Sequence, residues 1–119
     1  MAARLTSSLF ISAIIRQVNV DGGFAAVIRR GADEAGAIFI CVPGGAGAGT
    51  ALYAQVPQVV IADREDVPAG GRLFELVADR LSDVELAQRF EKETRLDPDF
   101  WVLELEVRDS DISAYVGLT

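Results

Sequence analysis

The sequence predicts an α+β fold, a mostly antiparallel sheet of four to five strands carrying two main helices, in the order α-β-β-β-(β)-α-β. Three observations carry this prediction. From Trp101 onward, Trp101, Leu103, Leu105 and Val107 alternate with Val102, Glu104 and Glu106, the two-residue period of a strand with one buried face. Ser82-Asp83-Val84-Glu85 fits a capping box, in which serine and glutamate each satisfy the other's exposed backbone donor at a helix start. Ala37 to Val42 is apolar throughout and bounded by turn residues, as expected of a central strand covered on both faces.

Taken in order, Thr6, Ser7 or Ser8 can cap a first helix that runs to about Val18. It sets Leu9, Ala13, Arg16 and Gln17 on one side and Phe10, Ile11, Ile14, Ile15 and Val18 on another. Asp21-Gly22-Gly23 stops it. Phe24 to Arg30 reads as a strand, and the turn residues Gly31 to Gly36 join it to Ala37 to Val42 as a hairpin. A helix over the same stretch would carry both glycines at a cost of about 1 kcal/mol each.

Pro43 to Thr50 is a glycine-rich loop, and Ala51 to Val56 a third strand. Pro57 to Gly71 reads as a long loop with an edge strand or a single helical turn around Val59-Val60-Ile61. Arg72 to Val77 is a fourth strand or a helix continuing to Arg80, which periodicity does not decide. The second helix runs from Ser82 to about Leu96, burying Val84, Ala87 and Phe90 with Leu86 and Thr94 beside them, and Pro98 forbids its continuation. The closing strand follows.

The 119 residues, half of them apolar, suffice for one domain over 1–119, with a flexible loop over 43–50 and a flexible tail over 109–119. That tail is either disordered or lies across a neighbouring surface by Ile112, Tyr115, Val116 and Leu118. The net charge of -7 argues against nucleic acid and anionic membranes as partners. The absence of histidine excludes Ser-His-Asp triads and histidine switches and removes the commonest metal ligand, so neither a metal nor another cofactor is expected. Cys41, the single cysteine, sits inside an apolar run where it serves as buried filler, and one cysteine forms no intramolecular disulfide. The N-terminal apolar stretch is interrupted by Ser12 and ended by Arg16, which makes it an amphipathic helix rather than a signal peptide, and a cytoplasmic location is expected.

Few residues offer chemistry. Gly44 to Thr50 has two glycines flanking four residues, as in a phosphate-cradling loop, but lacks the lysine and leads to a strand, so the nucleotide reading fails. Glu104 and Glu106 share one face of the closing strand and could form an acid-base pair, hold a hard metal ion or, with cations nearby, make a solvated or salt-bridged surface, the plainer use. Asp97-Pro98-Asp99 serves to end the helix and aim the chain into that strand. Arg29 and Arg30 are adjacent guanidiniums on an acidic protein and the best candidates for an anionic ligand, although neighbours on a strand point to opposite faces.

Three blocks together resemble a known family: the N-terminal helix leading into Gly23 to Gly31, the strand Ala35 to Ile40, and Asp97 to Glu106. Their order is similar to that of the uncharacterised alphaproteobacterial family catalogued as domain of unknown function 1491. The resemblance covers roughly the first 42 residues and the last third, and implies a small bacterial protein with no catalytic residues to carry over. Two functional expectations follow. The preferred one is a non-enzymatic binding or assembly module, homodimeric through a strand edge or an apolar patch. The alternative is a small carboxylate- and arginine-based enzyme or anionic-ligand-binding protein using Arg29, Arg30, Glu104 and Glu106.

Overall fold

The computed structural model describes residues 5–57 and 71–119. In chain order these form α1 (Ser7–Val20), β1 (Phe24–Arg29), β2 (Ala37–Pro43), β3 (Thr50–Gln55), β4 (Leu73–Leu81), α2 (Asp83–Leu96), β5 (Phe100–Glu106), a single 3-10 turn (Arg108–Ser110) and β6 (Gly117–Leu118). All six strands belong to one mixed sheet in the order β1-β5-β2-β3-β4-β6. The β2–β5 and β4–β6 pairings are parallel and the other three antiparallel. The α+β class stands, and among the described residues there are two α-helices and a mixed sheet of six strands, where a mostly antiparallel one of four or five was expected. The ambiguous stretch after Arg72 is strand, and the loop expected between Pro57 and Gly71 lies, apart from its two ends, outside the described residues.

The expected hairpin between β1 and β2 does not form. Instead β5 lies between them, antiparallel to β1 and parallel to β2. The cause is visible at Gly31 and Gly36, where a Cβ would stand 2.7 and 2.9 Å from the Trp101 ring. These glycines let the 30–36 segment arch over the first residues of β5, and Trp101 Nε1 donates to Ala32 O at 2.9 Å. Glycines that read as turn signals therefore clear space for an indole.

Each face of the sheet has its own cover. Thr6 caps α1 through its side chain, and Phe10, Ile11, Ile14 and Val18 pack onto Ile38, Ile40, Val42, Phe74, Trp101, Leu103 and Leu105. The chain after β5 crosses this same face, burying Ile112 and Val116 before β6 pairs beside β4, and Tyr115 Oη donates to Asp21 Oδ2 at 2.8 Å. On the opposite face α2 lays Leu86 and Phe90 over Phe39, Cys41, Leu52, Phe100 and Val102. Its Ser82–Glu85 capping box is present in both directions. Val84, expected inside, is 67% exposed. Ala87 is exposed as well, whereas Leu86, Phe90 and Thr94, also expected inside, are partly buried, and Phe90, Phe39 and Phe100 form an aromatic triangle with centroids 5.3 to 6.0 Å apart.

Candidate functional site

Alternation along β5 puts Glu104 and Glu106 on the α2 side of the sheet. Glu104 stands beside Ala26 of β1 and Cys41 of β2, and Glu106 beside Phe24. Among the described residues neither carboxylate takes part in a salt bridge or a side-chain hydrogen bond. Partial burial and then the Glu106 charge push the Glu104 carboxyl above its ordinary range. Burial, with Glu104 adding to it, pushes the Cys41 thiol up to about 12, so the cysteine is an inert buried thiol.

Arg29 and Arg30 sit at the other end of the β1–β5 pair, with Arg29 in register with Val102. They part company there. The Arg29 guanidinium lies 4.1 Å over the Phe100 ring and donates to Pro98 O at 2.6 Å and to Thr94 Oγ1 at 3.3 Å, clamping β1 to the end of α2. Arg30 bonds Asp33 at 2.6 Å and lies 5.0 Å over Trp101 on the opposite side. The structure thus brings Glu104 and Glu106 together, separates the two arginines, and occupies both with local partners. Asp97 and Asp99 accept backbone N–H bonds from Asp99 and Ala32, which fixes the turn into β5.

The glycine loop joins two antiparallel strands, with Gly44 N donating to Gly49 O at 2.9 Å. Gly49 adopts φ +75°, and a Cβ there would stand 2.6 Å from the Arg80 backbone, so only glycine fits. This loop and Arg80, Leu81, Ser82 and Asp83 line an open groove of about 780 Å³. Two of the donors at the α2 start, the N–H groups of Ser82 and Glu85, are taken by its own capping box.

Two features escaped the sequence reading. Arg72, 1% exposed, donates to Gln55 Oε1 (2.9 Å), Leu5 O (2.8 Å) and Ser7 Oγ (3.2 Å) and lies 5.2 Å over Phe10, while Ser7 Oγ donates to Gly36 O at 2.7 Å. Nothing in a lone arginine after two glycines signals burial. The second is β1 itself, the terminal strand of the sheet, whose outer edge pairs with no strand among the described residues. Phe24, Val27 and Ile28 are 50, 41 and 61% exposed along it. The apolar composition was legible, but its place at an edge depended on β5.

A groove of about 600 Å³ opens at the start of β1, lined by Asp21, Glu106, Arg108 and Asp109 among others. Glu106 lines this groove and stands in register with Phe24, so the groove adjoins the edge and the two carboxylates that are unpaired among the described residues. Chemically it offers backbone hydrogen bonds, apolar contact and negative charge.

Comparison with known proteins gives the same architecture. The solution structure of a protein from A. tumefaciens is 40% identical, covering 98% of this chain and 96% of that one, with a TM-score of 0.79. An NMR structure of a DUF1491 family protein from Caulobacter crescentus is 25% identical with a TM-score of 0.74, covering 99% of both chains. A crystal structure of a DUF1491 family protein from the same organism, 24% identical over 98% of this chain and 99% of that one, has a TM-score of 0.72 and shares the fold. No curated protein matches the chain. The family model described as protein of unknown function (DUF1491) matches residues 5–113, taking in the middle of the chain that the three sequence blocks left unmatched, and the chain belongs to that family.

Proposed function

We propose that this protein is a binding module that offers the free edge of β1 to a strand of a protein partner. The observation that carries the reading is the exposure of Phe24, Val27 and Ile28 along a six-residue terminal strand whose outer edge is unpaired among the described residues. Exposed edges of this kind invite strand addition, and proteins that do not use them usually blunt them with charge or cover them. The opposite terminal strand, β6, has two residues and offers little to pair with. Against the alternative of an arginine- and carboxylate-based enzyme stands the engagement of Arg29 and Arg30 in clamps on opposite faces.

The test is amide hydrogen exchange by NMR, alone and with candidate partners. Outward-facing amides of β1 exchange quickly in the isolated chain and become protected on binding. A Phe24→Lys variant, which charges a half-exposed position, abolishes that protection without lowering the melting temperature. Binding that leaves β1 exchange untouched overturns the proposal.

A further inference from the structure

We infer that the occupant of the β1 edge is an extended segment of a partner protein in which lysine or arginine alternates with apolar residues, and not a second copy of this chain. The inference rests on the edge-binding reading above and deepens it by naming the partner's chemistry.

The charge distribution supplies the first argument. Glu104 and Glu106 lie one strand in from the edge, side by side, and no cation among the described residues pairs with either. A strand added outside β1 runs two strand spacings, about 10 Å, from β5. Side chains projecting from it on the α2 side cross β1 at Phe24 and Ala26, the residues in register with Glu106 and Glu104. Ala26 leaves room for the stem of a long side chain to lie across it and carry its charged end to Glu104, and the Phe24 ring gives a second cation a face to stack on beside Glu106. The adjoining groove continues the theme, since Asp21, Glu106 and Asp109 outnumber its one cation, Arg108. A basic strand relieves the carboxylate repulsion, whereas an acidic one adds to it.

Geometry disfavours self-pairing. The β1–β5 register slips between Val27 and Arg29, so β1 is regular only over Phe24 to Val27. Such a bulge twists the edge and confines regular pairing with any added strand to these four residues. Two copies related by a two-fold axis through this short stretch meet with the same faces aligned, which gathers four glutamates, two from each, on one side of a four-residue ladder.

The experiment uses the full chain and fluorescein-labelled eight-residue peptides of repeating Val-Lys, Val-Gln and Val-Glu, followed by anisotropy, with β1 amide shifts as the positional readout. Expected is Val-Lys binding about tenfold or more tighter than Val-Gln, none by Val-Glu, and loss of this preference in the Glu104→Gln/Glu106→Gln double variant. Equal binding of Val-Lys and Val-Gln with β1 shifts overturns the charge inference and leaves the edge reading standing. So does Val-Lys binding unchanged in the double variant. A light-scattering mass of two chains that falls to one in Phe24→Lys makes a second copy the occupant and overturns the inference alone. A monomer that binds none of the peptides, with β1 amides unshifted, overturns both.

Discussion

The indole nitrogen of Trp101 donates to the carbonyl of Ala32 at 2.9 Å, tying the arch between β1 and β2 to the strand that separates them. The ring is 2% exposed and fits against Gly31 and Gly36, so the bond, the two glycines and the placement of β5 form one device.

Replacing Gly31 by alanine would drive a methyl group to within 2.7 Å of the indole. The expected cost is about 2 kcal/mol, typical of overpacking, read as a lower urea midpoint together with a red-shifted tryptophan emission. Trp101→Phe loses the bond as well as volume and is expected to cost about 3 kcal/mol.

Arg72 holds three different acceptors from β3, α1 and the residue preceding its cap. Arg72→Lys therefore should not rescue the site, because an ammonium lacks the planar fork that reaches them together. Both Arg72→Lys and Arg72→Ala are expected to lower stability by about 3 kcal/mol in chemical denaturation.

Glu104 is held above its ordinary carboxyl range first by burial and then by Glu106. The folded state thus binds this proton more tightly than the unfolded chain, so its contribution to stability falls as pH rises from the ordinary glutamate range through the raised folded value. Glu104→Gln is expected to gain about 0.5 kcal/mol at pH 7, a like-charge pair relieved, with no gain at pH 3. Thermal unfolding at the two pH values checks both sign and window.

Cys41 has its thiol pushed up to about 12 beneath α2. Native protein at pH 8 is expected to resist a thiol-reactive dye, and the same protein in denaturant to react within minutes. Rapid labelling of folded protein would place Cys41 in solvent.

Local physics made much of this molecule legible. The apolar stripe of α1, the capping box of α2 and the alternation of β5 each depend on residues within a few positions of one another, and all three appear where the chain places them. The β1–β2 hairpin failed because glycine marks either a turn or a close approach, and the residue approached, Trp101, is 70 positions from Gly31. Two-residue β6 has no periodicity to read. Glu104 and Glu106 were found from spacing alone, whereas the edge beside them follows from a pairing order that no short window contains.

The position of β5 also has a consequence in time. Its partners, β1 and β2, leave the ribosome more than 50 residues ahead of it, and among the described residues β1 has no other neighbour in the sheet. While the chain is being made, β2, β3 and β4 can assemble, but the slot for β5 stays vacant and β1 waits unpaired on its tether. Closing long-separated contacts is slow, so this interval exposes an apolar ribbon to the cell before its final neighbour is synthesised.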